Sequence, residues 1–246
     1  MNSLFVDQIS PHAQRLLSLL PSIMPYERTR RLFERWFPAS DPHEAYLTQM
    51  RLEVFWQNPK HLKTCFIHSG VEHIDPHETY VISSIHFGQW GMYPASLNQQ
   101  FGIRSQMVAS GRNRTPNSRS DHFWYHHGQK PQVLSGYPVC YSTDSFYEQL
   151  GRLHEGRNLV VILDVREKGL MQRELRTEFC GGPYFLQRSA PLMARRAKVR
   201  ILPYFGFYDS RAGKHRVRWF PPVTPQRDDR ATLQSIVAMF EPLFAA

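Results

Sequence analysis

Three features of the 246-residue chain predict an α/β fold, with a mixed, mostly parallel sheet flanked by helices. From residue 78 onward, β-branched apolar runs alternate with helical stretches. One run, Leu159-Val160-Val161-Ile162-Leu163, is continuously apolar, as a central strand covered on both faces requires. A hydrophobic fraction of 41% with 13% aromatics is enough for a sizeable core without disulfide or metal support.

Residues 1–75 read as helical. Leu16, Leu17, Leu19 and Leu20 crowd one short segment, which Pro21 and Pro25 interrupt. Residues 26–37 put Leu32, Phe33, Trp36 and Phe37 on one side and Arg28, Arg31 and Arg35 on the other. That pattern fits a helix lying in a membrane interface, but spacing alone favours a surface helix packed on a core, because amphipathicity is the normal state of globular helices. Asp41, Pro42 and Glu44 form a helix start, with Leu47, Met50 and Val54 on its buried side. Strands follow at 79–85 and 103–108, with a helix to about Gln100 between them. Residues 146–153 are helical, 159–163 form the central strand, and 192–197 form a helix that leads into a strand at 199–205. Residues 215–220 alternate basic and apolar side chains, including Val217 and Trp219, which suggests an edge strand. A helix over 234–244 closes the chain. The whole reads as one domain, 1–246, with an N-terminal helical part (1–75) and an α/β core (76–246).

Thirty Lys and Arg against 21 Asp and Glu give a net charge of +9. This surplus points to an anionic partner. Three cysteines, Cys65, Cys140 and Cys180, lie far apart without any CxxC, which suits a reducing compartment and excludes a cysteine-rich zinc module. The first residues carry no secretion signal, and no run of about 18 apolar residues exists to span a bilayer. Dinucleotide and phosphate loops and the GxSxG elbow are absent, which argues against dehydrogenase, kinase and serine-esterase readings. Nucleic-acid recognition has no motif behind it beyond charge and aromatics, so no nucleic-acid partner is expected.

The sharpest local feature is Ile85-His86-Phe87-Gly88-Gln89-Trp90-Gly91. His86 stands where an apolar strand gives way to a helix, and catalytic groups of open α/β sheets collect at such strand ends. An imidazole there can take a proton from a hydroxyl or amine attacking an acyl carbon. A buried, hydrogen-bonded structural histidine is the competing reading. Asp164 ends the central strand and either faces the same cleft or caps a turn. Arg166 beyond it suits a bidentate phosphate contact. The loop 110–119 offers Arg112, Arg114 and Arg119 either as an anion cradle or as solvated charge. Arg188 is a further anion candidate, whereas Arg195 and Arg196 read as a solvated helix face. His122, His126 and His127 have i, i+4 spacing without an HExxH pattern, and they read as packing with Phe123, Trp124 and Tyr125; no metal site is expected.

Taken in order, these blocks resemble the lipid A late acyltransferases of the lysophospholipid acyltransferase superfamily. The strand with His86-Phe87-Gly88-Gln89-Trp90 is similar to the family's His-Phe-Gly-(Asn/Gln)-Trp block. Gly156-Arg157-Asn158 and the strand into Asp164 resemble its strand ending in Asp. Phe179-Cys180-Gly181 stands where the family has Phe-Phe-Gly, and Ser189-Ala190-Pro191 resembles its small-residue turn before a helix and a strand. The resemblance covers about residues 70–222.

It implies a lysophospholipid-acyltransferase-like fold and transfer of an acyl, or in a divergent relative an aminoacyl, group. The donor implied is a thioester on the phosphopantetheine of an acyl carrier protein, with no other cofactor. The acceptor is a hydroxyl of a lipid A-like or other amphipathic molecule. The implied setting is the cytoplasmic face of the inner membrane, here peripheral, against anionic membrane lipid. The family's N-terminal membrane-spanning helix has no counterpart in this sequence. Carried over residue by residue, His86 is the general base, Gly88, Gln89 and Trp90 of its block are substrate contacts, and Arg188 stands in the family-like turn as a further one; Arg112, Arg114 and Arg166 join them as substrate contacts on their charge and position alone. The family's acid lies five residues after the histidine, and that position is Gly91. Asp164 is therefore the replacement acid. A catalytically inactive lipid- or carrier-binding protein of the same fold is the alternative.

Overall fold

The computed structural model describes residues 26–36, 38, 62–87, 91–109, 111, 135–137, 139–164, 174–209 and 211–243. Among them, nine strands and five α-helices follow one another along the chain: α1 (Tyr26–Trp36), β1 (Phe66–Ser69), β2 (Tyr80–Ser84), α2 (Met92–Phe101), β3 (Ser105–Ala109), β4 (Cys140–Tyr141), α3 (Phe146–His154), β5 (Asn158–Ile162), β6 (Glu174–Phe179), β7 (Gly182–Gln187), α4 (Ser189–Ala197), β8 (Arg200–Asp209), β9 (Lys214–Trp219) and α5 (Asp229–Phe240).

Seven of the strands form one sheet in the order β1-β9-β8-β2-β5-β3-β4, and β6 and β7 form a separate hairpin. Pairing is parallel from β8 to β4. β9 runs antiparallel to β8, and β1 is parallel to β9. The sheet is thus mixed and mostly parallel, as the alternating pattern predicts. β2 and β5 are buried along their whole length, which is why their sequences are apolar without alternation.

Two cores lie on opposite faces of the sheet. One gathers Val81, Ile85, Leu159 and Val161 with Met193 of α4 and Ile236 of α5. The other gathers Ile82, Val160, Tyr204 and Trp219 with Tyr93 and Leu97 of α2. Gly206 is required in the second core, because a Cβ there would stand 2.4 Å from the Tyr93 ring. Two helices start on capping side chains, and α3 begins with a complete capping box, Ser145 with Glu148. Asp228 caps α5 by accepting from the Arg230 N–H.

Two expectations change, and one element is new. First, the N-terminal part is not wholly helical, because Phe66–Ser69 is a strand. Its register is held by side chains too: Phe66 stacks on His215 with ring centroids 5.1 Å apart, and Trp219 Nε1 donates to His68 Nδ1 at 2.9 Å. Burial pushes the His68 imidazole down to about 4, so it is neutral, and its Nε2 lies 2.7 Å from Ser96 Oγ of α2. Second, β9 is not the sheet edge, because β1 covers its outer side. The alternation read there is real, but it arises because His215, Val217 and Trp219 enter a core while Lys214, Arg216 and Arg218 stay exposed. The new element lies at residues 174–187, to which the sequence reading assigns no structure: they form a hairpin that turns through Cys180 and Gly181, with φ of 50° and 77°. Two successive left-handed residues between paired strands make a type I′ turn.

Helix α1 exposes Arg28, Arg31 and Arg35 and buries Thr29. Arg30 pairs with Glu27 at 3.1 Å and with Glu34 at 2.6 Å. The leucine-rich segment and the helix start at Asp41 lie outside the described residues. Among the described residues, no helix is long and apolar enough to cross a membrane.

Candidate active site

β2 and β5 are neighbours and parallel, with Ser84 opposite Ile162 at their C-terminal ends. The chain leaves them on opposite faces: β2 leads to α2 in one core, and β5 leads by way of the hairpin to α4 in the other. In open α/β sheets ligands bind where such connections diverge. His86 and Asp164 occupy this point, each two residues beyond the end of its strand.

The structure brings the two side chains together. His86 Nδ1 lies 2.9 Å from Asp164 Oδ1, and the His86 backbone N–H donates to the same oxygen at 2.8 Å. The second carboxylate oxygen, Oδ2, accepts from the Tyr184 hydroxyl at 2.9 Å. Two backbone bonds fix the frame: Leu163 N–H to Ser84 O at 2.8 Å, and Gln187 N–H to Leu163 O at 2.7 Å. Each of the His86 and Asp164 side chains keeps 13% of its surface exposed, so the pair is reachable yet largely withdrawn from bulk water.

Burial pushes the Asp164 carboxyl up. The charge of His86, the two His86 hydrogen bonds and the Tyr184 hydroxyl outweigh that effect and hold the carboxyl below the usual carboxylate range. Asp164 is therefore ionised at neutral pH and only accepts hydrogen bonds. It follows that Nδ1 of His86 carries the proton, and in the neutral ring the lone pair is on Nε2. Such an arrangement can accept a proton at Nε2 and stabilise the resulting imidazolium through the carboxylate.

Gly91, five residues after His86, is the N-cap of α2 with ordinary right-handed backbone (φ −76°). Among the described residues, a Cβ there would meet nothing within 4 Å. A carboxylate at a helix N-terminus is also favourable. Gly91 is itself buried, but with no described atom in the way of the new side chain the Gly91→Glu protein should fold, with a melting temperature within about 5 °C of wild type. A thermal melt checks this, and a fall of more than about 5 °C contradicts it.

The other sequence candidates separate into two groups. Gly88, Gln89, Trp90, Arg112, Arg114 and Arg166, like Arg119, His122, His126 and His127, lie outside the described residues. Arg188 is described, and its guanidinium is held by Asp229 Oδ2 at 2.9 Å while 44% of its side chain stays exposed. Arg195 is not a solvated charge: it binds the other oxygen of Asp229 at 2.8 Å. Asp229 is 5% exposed, and a buried carboxylate needs such counter-charges. Tyr184 was not read from the sequence. The available signal was the alternation of Leu175, Thr177 and Phe179 before the Cys180-Gly181 turn, which places Tyr184 on the same hairpin face as Thr177. Among the described residues, no cluster of three or more His, Cys, Asp or Glu could hold a metal ion.

No curated protein matches the chain at a significant level. The sequence model of one family, described as bacterial lipid A biosynthesis acyltransferase, matches residues 45–243, a span that holds both His86 and Asp164. With a match over most of its length, the chain belongs to the bacterial lipid A biosynthesis acyltransferase family.

Proposed function

We propose that the protein is an acyltransferase that moves an acyl or aminoacyl group from a carrier-protein thioester to a hydroxyl of a lipid A-like or other amphipathic acceptor, with His86 as general base. The observation that carries this reading is the His86–Asp164 pair at the divergence of β2 and β5. Nε2 of His86 takes the proton of the acceptor hydroxyl as its oxygen attacks the thioester carbonyl carbon. The new C–O bond forms, the C–S bond breaks, and the imidazolium returns the proton to the departing thiolate. The products are the acylated acceptor and the free carrier thiol. Asp164 holds Nδ1–H throughout and offsets the positive charge on the ring. No cofactor beyond the carrier's own phosphopantetheine enters this chemistry.

The net charge of +9 and the exposed Arg28, Arg31 and Arg35 of α1 support a peripheral position on anionic membrane lipid at the cytoplasmic face of the inner membrane. Arg188, with 44% of its side chain exposed, is retained as a contact for an anionic substrate group.

The test is direct. The purified protein is incubated with an acyl carrier protein thioester and a lipid A-type acceptor in vesicles of anionic or zwitterionic lipid, and the products are weighed by mass spectrometry. The expected result is an acceptor heavier by one acyl group, free carrier thiol, and a faster reaction on anionic vesicles. An unchanged thioester and acceptor, with the protein still bound to vesicles or carrier, would favour the non-catalytic reading, which rests on Gly91.

A further inference from the structure

The two oxygens of Asp164 are used differently. Oδ1 receives both His86 donors, and Oδ2 receives the Tyr184 hydroxyl. The terminal torsion of an aspartate is broad. A carboxylate anchored through one oxygen can swing about that anchor, whereas donors on both oxygens fix its plane.

Tyr184 does not belong to the seven-stranded sheet. It stands on β7, opposite Thr177 of β6, whose Oγ1 donates to the Tyr184 carbonyl at 2.9 Å. Its ring lies 5.3 Å from that of Phe179. The hairpin is fastened to α5 from outside. Gln234 accepts from the Glu178 N–H and donates to the Glu178 carbonyl, both at 2.8 Å. Beside it, Cys180 N–H donates to the Glu241 carboxylate at 2.9 Å. At its other end the hairpin meets the site strand through the Gln187–Leu163 bond. Tyr184 thus connects an element docked on α5 with the acid of the dyad.

We propose that Tyr184 is a positioning residue, whose hydroxyl sets the orientation of the Asp164 carboxylate toward His86 and makes that orientation depend on the docking of the β6–β7 hairpin against α5. The kinetic part of the proposal rests on the transferase reading, while the contact itself does not. Among the described residues, His86 and Tyr184 are the titratable groups acting on Asp164. A hydroxyl donating to Oδ2 draws charge from the carboxylate and so weakens its pull on the His86 proton. Removing the hydroxyl should make the imidazole more basic.

The experiment uses Tyr184→Phe, which keeps the ring and deletes the donor. The expected kinetic result is a kcat lowered about tenfold or more with KM within about twofold of wild type, since a hydrogen bond to a charged group is lost and binding is not. The second reading is the His86 imidazole titration, followed by NMR without any substrate, whose midpoint should move up. Gln234→Ala, which loosens the hairpin from α5, should move the midpoint the same way by less. A wild-type kcat with an unmoved midpoint in Tyr184→Phe overturns the proposal. So does a lowered melting temperature with neither readout changed, because Tyr184 is then a packing residue. If the protein transfers nothing, the titration alone decides, and failure of the reaction is distinguished from failure of the contact.

Discussion

Asp164→Asn should slow acyl transfer by up to about ten-thousand-fold while the protein stays folded; loss of the orienting carboxylate in a serine-protease triad has an effect of that size. The amide is nearly the same size, and its oxygen can still accept the His86 backbone N–H that Asp164 now receives at 2.8 Å. It cannot carry the negative charge that holds the Nδ1 proton and stabilises the imidazolium. His86→Ala should be as damaging, and the double variant should be no worse than either alone, because the two residues act as one unit. The rate of thioester consumption reports activity, and circular dichroism with a thermal melt reports folding. A folded Asp164→Asn protein with wild-type turnover would remove Asp164 from the mechanism.

The largest expected effect on stability is at Phe240. Its side chain is fully buried, and its ring lies 5.4 Å from Phe205 and 5.5 Å from Phe220. Phe205 in turn stacks on Phe87, the neighbour of His86, at 4.9 Å. Phe240→Ala should cost about 3–5 kcal/mol, through lost burial and the cavity left behind. For a chain of this length that lowers the melting temperature by about 10 °C. Tyr147 has 83% of its surface exposed and provides the control, so Tyr147→Ala should stay within about 0.5 kcal/mol of wild type. Equal melting temperatures for the two variants would show that the Phe240 cluster does not organise this core.

The parts of the fold that the sequence made legible are those where one physical signal dominates. β2 and β5 are buried on both faces, so continuous apolar runs identify them. The sequence also pointed to His86 and Asp164, because each stands directly after such a run. The rest depends on contacts that no local pattern encodes. β1 is four residues long and exists because β9 lies beside it, with His68 reaching Trp219 across 151 residues of chain. The hairpin has a helical segment after it and no long apolar run, and its turn uses a cysteine where asparagine or glycine would have announced it. Arg195 looks like surface charge until Asp229, 34 residues away, is placed beneath it.

The acid and the base of the dyad are 78 residues apart in the chain. An acid five residues from the histidine would meet it through local chain geometry, and could do so in a partly folded chain. Here the pair does not exist until β5 has closed on β2, a non-local contact whose loop-closure entropy makes it slow to form. The His86–Asp164 contact therefore forms with the long-range sheet and not with α2. During synthesis, a chain that has not yet emerged beyond residue 164 has His86 but no partner for it.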